Sequence, residues 1–526
     1  MHRPRPVWLS VLFLILLLEG CGGSGNISGG GGGGGGSNPT TSTVAVTPAA
    51  STATTAQTLS VAIAVTGSGA APTGSVVLSS GAYASFAATL AGGTATVSIP
   101  AGLLAVGSDT LTAAYTPDSG SSAAYKAATG TATVNISAAG SAPAVTLSSV
   151  TYPTMGAPFQ AAVNSAGVVF VGESGGGGNG IEVFVPGGGG LTSSCFNSLS
   201  ASLLQQGASV SNLSFLPNGT DLAAGIGDPG AAFFNLSALE SCTASGTVVS
   251  QGALSAGEGT QEVAVTPDGK FAFASNEYGV VSGTSSEGNI GVVSLQYDSA
   301  GDVTSASTLL GQISTGGNAI AGMTLSPDGT RLYVTSEVAP AGIASAGSGN
   351  PVLTENDCVQ SGGAQPNGIL TVIDVAKAES APGQSAVLAT VNAGCSPVRM
   401  AETADGSTLW VAIRGDNRVL AFSTGMLELN AGNALLGYAD TGGTAPVGIR
   451  LFHNNQLLAV ANSNRFETGT ANSTVLYVAV PATAAVVQTT QTGLFPREIE
   501  VGPDDATLYL TNYDSGTLQV ISTTVQ

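Results

Sequence analysis

The chain has 526 residues, 75 of them glycine, and a formal net charge of −20 at pH 7. Only 8% of the residues are charged, and Lys and Arg together number 12. This excludes nucleic acid as an expected partner, because phosphate binding needs clustered Lys and Arg. Few charges and abundant Gly, Ala, Ser, Thr and Val are typical of an extracytoplasmic all-β protein.

The N-terminal segment predicts export. Arg3 and Arg5 precede an apolar run over residues 7–18, which is too short for a permanent membrane span. The run ends in Leu18-Glu19-Gly20-Cys21, which resembles the lipobox of bacterial lipoproteins. The resemblance implies a signal peptide over residues 1–21, a lipidated Cys21 as the membrane partner, and sorting to the outer membrane of a Gram-negative cell. The side of that membrane stays open, and the alternative is a secretory signal with an incidental Cys.

Two segments follow before the main repeat. Residues 22–40 are rich in glycine and predict a flexible linker. Residues 41–138 alternate Thr, Val and Ala, which predicts short strands over 58–65, 74–78, 94–99, 109–115 and 130–136. Pro72-Thr73-Gly74-Ser75-Val76 and the stretch 104–117 resemble bacterial Ig-like (group 3) repeats of surface proteins. The resemblance implies a β-sandwich that acts as a stalk.

Residues 144–526 contain one pattern seven times: an apolar strand, a turn, a second strand, a loop and a third strand. The spacing of roughly 50 residues is typical of four-stranded propeller blades, so the predicted fold is all-β, a seven-bladed β-propeller after an Ig-like β-sandwich. Two-residue hairpins are expected at the turns, because most of these pairs tolerate positive φ. The turn pairs are Ala166-Gly167, Asn218-Gly219, Asp268-Gly269, Asp328-Gly329, Asp405-Gly406, Asn454-Asn455 and Asp504-Asp505.

The ends of the ring and its cysteines allow two further predictions. The seventh repeat stops after its third strand, so residues 144–150 are expected to complete its blade. Apart from Cys21, the chain has four cysteines. Cys195 and Cys242 follow the third strands of neighbouring repeats, whereas Cys358 and Cys395 fall on the opposite face. We therefore predict the disulfides Cys195–Cys242 and Cys358–Cys395, with four free thiols as the alternative.

One face of the ring is formed by the loops that enter the first strands and by the loops that join the second strands to the third. We call it the loop face, and we expect the candidate site residues there. Counting back from each turn predicts that seven residues ring the channel: Gln160, Asn212, Glu262, Gly322, Arg399, Gly448 and Glu498. Arg414, Arg465 and Arg497 belong to the same face, which concentrates cations in a chain poor in charge. We expect ligand binding by Gln160, Asn212, Glu262, Arg399, Arg414, Arg497 and Glu498. The alternative is that these groups pair with one another in a wet channel.

The second strands resemble those of YVTN-type propellers, which are related to seven-bladed lactonase-like propellers. Leu332-Tyr333-Val334-Thr335 and Leu508-Tyr509-Leu510-Thr511-Asn512 carry the likeness. The lactonase group has a Pro-Arg-His triplet and an Asn-Glu pair at its active face. This chain keeps Pro496-Arg497 and Asn276-Glu277, with Glu498 in place of the His. The resemblance implies Arg497, Glu498, Glu262 and Glu277 as candidate catalytic residues.

Two functions follow from these observations. The favoured one is a cell-surface lipoprotein whose propeller is a binding or scaffold module for an unknown small molecule, glycan or protein, with no cofactor. The alternative is an extracytoplasmic lactonase-type hydrolase, in which a divalent cation in the channel would assist. No metal-ligand motif is present, since Cys-x-x-Cys is absent and His453 is the only histidine after the signal segment.

Overall fold

A computed structural model of the chain describes residues 39–55, 57–81, 83–138, 143–175, 178–242, 249–250, 259–277, 288–339, 358–360, 363–365, 367–429, 431–465, 471–481 and 484–526. The predicted signal segment, the lipidated Cys21 and nearly all of the linker lie outside these residues. The described part is all-β with a few short helices, as the sequence predicts. None of its helices has the length and apolar character needed to cross a membrane.

The first described region consists of two β-sheets that share one apolar core, and their strands are antiparallel except where Thr52–Thr54 pairs parallel with Ala128–Ser137. Ile63 and Val97 of one sheet and Leu78 and Leu111 of the other belong to the same buried cluster. The alternating burial of the strand Leu59–Thr66 shows how each strand contributes every second side chain to that core. One sheet contains Thr43–Pro48, Leu59–Thr66 and Thr94–Ile99, and the other Thr52–Thr54, Ala128–Ser137, Gly107–Pro117, Gly74–Ser80 and Tyr83–Thr89; Thr40–Thr41 also pairs with Tyr125–Lys126.

Seven four-stranded antiparallel sheets follow, and they form the blades of the predicted propeller. From the inner to the outer strand, the blades contain: blade 1, Ala157–Val163, Val169–Ser174, Gly180–Gly187, Gly190–Ser198; blade 2, Asn212–Phe215, Asp221–Gly225, Ala231–Asn235, Val249–Ser250; blade 3, Thr260–Val265, Phe271–Asn276, Asn289–Ser294, Thr308–Ser314; blade 4, Asn318–Leu325, Arg331–Val338, Ile369–Asp374, Val387–Asn392; blade 5, Pro397–Glu402, Thr408–Ile413, Arg418–Ser423, Leu435–Asp440; blade 6, Pro446–Phe452, Leu457–Asn462, Ser473–Val478, Val486–Gln491; blade 7, Pro496–Val501, Thr507–Asn512, Thr517–Val525, Val145–Pro153.

Blade 7 combines both ends of the ring. Its outer strand, Val145–Pro153, pairs antiparallel with Thr517–Val525 over nine residue pairs. The prediction that residues 144–150 complete the last blade is therefore confirmed. Pairing removes two exposed strand edges and ties the ring shut.

The turns between inner and second strands define the turn face of the ring, and those of blades 3, 4 and 5 share one local structure. At Asp268, the side chain accepts hydrogen bonds from the hydroxyl of Thr266 at 2.7 Å and the amide of Lys270 at 3.0 Å, and Gly269 adopts φ of +71°. Asp328 and Asp405 accept equivalent bonds. The amide of Thr266 pairs with the carbonyl of Phe271, so the loop has four residues, and at these three turns the expected two-residue hairpin is wrong in length.

Threonines of the second strands connect neighbouring blades, which explains the Thr of the YVTN-like motif. Thr511 donates to the carbonyl of Phe159 in blade 1 at 3.0 Å, and Thr335 donates to that of Val398 in blade 5 at 2.5 Å. Both predicted disulfides, Cys195–Cys242 and Cys358–Cys395, are confirmed, with Cα atoms 5.7 and 5.4 Å apart. The remaining elements are the helices Ala201–Leu204, Leu236–Glu240, Val375–Ser380 and Thr424–Leu429, the 3-10 turns Gln384–Ala386 and Ala431–Asn433, and the hairpin Cys358–Gln360 with Gly363–Gln365.

Candidate functional site

The inner strands bulge where they reach the channel. In six of the seven blades the register with the second strand shifts at this point, for example between Pro158 and Gln160 and between Thr260 and Glu262. A bulge inserts an unpaired residue and re-aims its side chain. In blades 1, 5, 6 and 7 the shift begins at a proline, which has no amide hydrogen for the ladder.

Three of the predicted channel residues connect neighbouring inner strands. Gln160 accepts hydrogen bonds from the side chain of Asn212 at 2.9 Å and from the amide of Leu213 at 3.3 Å. Asn212 accepts from the amide of Val263 at 2.9 Å, and Glu262 from that of Met323 at 2.6 Å. Each side chain therefore satisfies a backbone donor of the next blade, which is a structural role.

Arg399 spans the channel between two carboxylates. Its Nε lies 2.9 Å from Oε1 of Glu262 in blade 3 and forms a second ion pair with Glu498 in blade 7. The blades between them carry Gly322 and Gly448, where a Cβ would approach Val398 O to 2.0 Å and Arg497 O to 2.9 Å. The two glycines permit close packing of neighbouring backbones at those positions.

Burial and charge act in opposite directions on this triad. Burial disfavours the charge on Arg399, but Glu262 and Glu498 raise the pKa of its guanidinium above the usual value. Burial raises the pKa of the Glu262 carboxyl, which Arg399 only partly offsets while Glu498 adds to the rise. Two carboxyl groups compete for one cation, so the protonation of each depends on the other two groups. We call Glu262, Arg399 and Glu498 the plug of the channel.

Arg399 lines two cavities. On the turn side, a cavity of about 530 Å³ is bordered by Gln160, Asn212, Glu262 and Glu498, with Arg450 and Glu500. On the loop face, a second cavity of about 280 Å³ has a different lining. Four arginines border it, one third of the 12 Lys and Arg of the chain: Arg399, Arg414, Arg465 and Arg497.

Arg497 is the most distinctive residue of the loop-face cavity. Its Cζ lies 3.4 Å from the ring centroid of Phe159, 5.4 Å from that of Phe495 and 5.7 Å from that of Tyr513. The Nε is buried and has no hydrogen-bond partner among the described residues. Burial, with repulsion from Arg399, lowers the pKa of the guanidinium to about 9. The aromatic rings hold the cation in place without neutralising it.

The other charges of this cavity are paired or shared. Arg414 forms an ion pair with Glu337, and Arg465 lies over Phe495 with its Cζ 5.4 Å from the ring centroid. Burial lowers the pKa of Arg414, opposed by Glu337, and burial raises the pKa of Glu337. Glu277 accepts a hydrogen bond from Gln261 at 3.0 Å.

The predicted ligand residues are thus divided between two places. Arg399, Arg414 and Arg497 border the loop-face cavity, whereas Gln160, Asn212, Glu262 and Glu498 border the turn-side cavity. Among the candidate catalytic residues, Glu277 and Arg497 lie at the loop face, and Glu262 and Glu498 are bound to Arg399.

The sequence analysis missed the aromatic wall of the loop-face cavity. Another acidic residue, Glu173 near the end of a second strand, is fully buried against Glu182 and accepts from the amide of Gly156. Phe159, Phe495 and Tyr513 were not considered. Phe495 directly precedes the Pro496-Arg497 pair, so its position was a signal that could have been used.

The described residues contain no group of three or more His, Cys, Asp or Glu side chains arranged to hold a metal ion. The divalent cation of the hydrolase alternative therefore has no ligand set in this part of the chain. Glu262 and Glu498 could supply two oxygen ligands, but Arg399 already contacts both.

Comparison with known proteins identifies the fold only. No family model and no curated protein matches the chain. Among solved structures, a chain of the Mitotic Checkpoint Complex has a TM-score of 0.46 and 11% identity, covering 71% of this chain and 90% of its own. Kuenenia stuttgartiensis hydrazine synthase has a TM-score of 0.48 and 15% identity, covering 71% and 97%. The β-propeller domain of Swd1 from Myceliophteria thermophila has a TM-score of 0.46 and 10% identity, covering 70% and 96%. At these identities the likeness carries no information on ligand or activity.

Proposed function

We propose that this chain is a binding module whose loop-face cavity takes the anionic group of a small ligand, with Arg497 as its anchor. The observation that carries the proposal is the guanidinium of Arg497, which borders a cavity of about 280 Å³, is stacked on aromatic rings and has a buried Nε without a hydrogen-bond partner among the described residues. A cation held in this way is costly, and a functional role is one reason for which such a group is retained.

The charge distribution of the whole chain supports this assignment. A protein of net charge −20 repels anions over most of its surface, yet a third of its cations border one cavity. Because part of the surrounding wall is apolar, each charge there acts more strongly than it would on the open surface. An anion that enters this cavity exchanges its hydration for fixed donors.

The geometry favours binding over hydrolysis. The hydrolase alternative needs Glu262, Glu277 or Glu498 as a base. Glu277 borders the loop-face cavity and accepts a hydrogen bond from Gln261 there. Glu262 and Glu498 both contact Arg399 and do not border that cavity. A ligand held by Arg497 would therefore lie on the other side of Arg399 from these two groups.

The proposal includes the place where the module acts. Lipidation of Cys21 would anchor it at the outer membrane of a Gram-negative cell, the glycine-rich residues 22–40 would tether it, and the Ig-like sandwich would serve as a stalk. Replacing Cys21 by Ser and following membrane fractionation and palmitate incorporation tests this part. Loss of both in C21S is expected, and unchanged fractionation would contradict the anchor.

Binding can be tested with a panel of anions on the full-length protein in detergent. Thermal unfolding is measured with acetate, benzoate, inorganic phosphate, D-glucuronate and D-glucose 6-phosphate at constant ionic strength, with D-glucose as the neutral reference. At least one anion should raise Tm in the wild type and in Arg450→Met, but not in Arg497→Met. Arg450 is the matched control because it borders the turn-side cavity. Equal shifts in both variants, or none in the wild type, would refute the proposal.

A further inference from the structure

We infer that the anionic group is a single carboxylate carried by a hydroxylated ring, as in a uronate-type monosaccharide. This inference rests on the proposed function, because it assigns a ligand class to the same cavity. Three independent features of the cavity support it: its charge balance, the accessible edge of Arg497, and the mixture of acceptors and aromatic rings in its wall.

The charge balance limits the ligand to one negative charge. Four arginines border the cavity, and four carboxylates lie on it or contact those arginines: Glu277, Glu337, Glu262 and Glu498. The set is therefore close to neutral despite its many cations. A dianionic phosphate ester would face these carboxylates, whereas a monoanion needs only Arg497, which forms no ion pair with a carboxylate among the described residues.

The guanidinium of Arg497 offers a limited edge. Phe159 covers one face at 3.4 Å, and the Nε is buried. The two terminal amino groups therefore form the edge left for a ligand. That edge presents two parallel N–H donors, which match the two oxygens of a carboxylate in a bidentate contact.

The rest of the wall suits a ring with hydroxyl groups. Glu277 and Glu337 can accept hydrogen bonds from hydroxyl donors, and Arg414 can donate to hydroxyl oxygens. Phe495 and Tyr513 contact each other edge to face with centroids 5.5 Å apart and supply apolar surface beside these polar groups. A volume of about 280 Å³ is at the lower end of the roughly 300–1,000 Å³ usual for ligand pockets. It fits one sugar-sized ring.

The test compares ligands that differ in one group at a time. Isothermal titration of the full-length protein in detergent uses D-glucuronate, D-glucose, D-glucose 6-phosphate and cyclohexanecarboxylate. D-Glucuronate is expected to bind most tightly. D-Glucose lacks the charge and cyclohexanecarboxylate lacks the hydroxyl groups, so each should bind at least about tenfold more weakly. Arg497→Met should weaken the binding of D-glucuronate by a similar factor. Glu277→Gln should reduce the difference in affinity between D-glucuronate and cyclohexanecarboxylate.

The outcomes separate this inference from the proposed function. If D-glucose 6-phosphate binds as tightly as D-glucuronate and loses its affinity in Arg497→Met, the anion site stands and the carboxylate assignment is wrong. If cyclohexanecarboxylate binds as tightly as D-glucuronate, the hydroxylated ring is wrong. If no anion binds in a manner that depends on Arg497, both proposals fail. Arg497→Lys keeps the charge without the bidentate edge, and full affinity in that variant would also overturn the inference.

Discussion

Replacing Arg497 by Met should abolish anion binding without loss of stability, which is unusual for a large side chain at the wall of a channel. Met retains an apolar stem that can pack on Phe159 and removes the unpartnered guanidinium. If Arg497 served only the fold, the same change would destabilise the protein. The two roles therefore predict opposite signs for the change in the free energy of unfolding.

The magnitude follows from two opposing terms. Burial and repulsion from Arg399 lower the pKa of Arg497 to about 9 in the folded state. At about 1.4 kcal/mol per pKa unit this sets an upper limit on the order of 5 kcal/mol for the cost of its charge. The side chain is only partly buried, so solvent reduces that cost. We take about 1–3 kcal/mol for the donor without a partner. Loss of the aromatic contacts offsets about 0.5–2 kcal/mol. The two ranges combine to a net effect between a loss of about 1 and a gain of about 2.5 kcal/mol, centred on a gain of about 0.75 kcal/mol.

The assay is denaturant unfolding at neutral pH without added ligand, followed by the fluorescence of Trp410, which is fully buried in blade 5. The variant should unfold at an equal or higher denaturant concentration, with an unchanged slope. Titration of the same sample with the anion that binds the wild type should give no heat. A loss of more than about 1 kcal/mol in Arg497→Met would refute the reasoning, because it would exceed the scatter of ordinary surface substitutions.

Three other predictions concern the ring itself. Arg399→Met leaves two buried carboxylates without their cation and should lower the free energy of unfolding by about 3–5 kcal/mol. Arg450→Met is the control, because the partner of Arg450 lies 3.5 Å away and is partly exposed, and it should cost less than about 1 kcal/mol. Equal losses in denaturant unfolding would contradict a stabilising role of the Arg399 ion pairs. Burial and the neighbouring Glu182 raise the pKa of Glu173 from 4.5 to about 9, so between these pH values the folded state holds a proton that the unfolded state has lost, and stability should fall as pH rises. Glu173→Gln should flatten the dependence of Tm on pH. An unchanged slope would exclude Glu173 as the cause of that dependence. Deleting Val145–Pro153 exposes the strand Thr517–Val525 and should cause aggregation or a much lower Tm by size exclusion and circular dichroism, and an unaltered monomer would show that closure is dispensable.

The ring could be predicted from sequence because its signals are local and repeated. A turn such as Asp268-Gly269 is followed by a strand within two residues, and each of the seven copies supports the reading of the others. The closing strand could also be predicted, since a blade that lacks its fourth strand must obtain one elsewhere. The length of the turns could not, because a pair such as Asp268-Gly269 does not state which backbone groups close the loop, here the amide of Thr266 and the carbonyl of Phe271.

The channel residues show where such reasoning ends. Counting back from the turns predicts Glu262, Arg399 and Glu498 as channel residues, but the residue types alone do not show whether these side chains face a ligand or one another. That difference depends on Gly322 and Gly448, where the absence of side chains keeps the neighbouring strands close. The two glycines add no polar group to the ring of channel residues, but they are part of the geometry that holds Arg399 between two carboxylates.

Arg399 and Arg497 illustrate how two similar side chains acquire different roles within one short distance. Arg399 contacts two carboxylates, which stabilise its charged form. Arg497 contacts three aromatic rings, which attract a cation but accept no strong hydrogen bond. The first arrangement satisfies its donors and closes the channel. The arrangement around Arg497 leaves N–H donors available at the loop-face cavity, and a ligand with a carboxylate would bind to these donors.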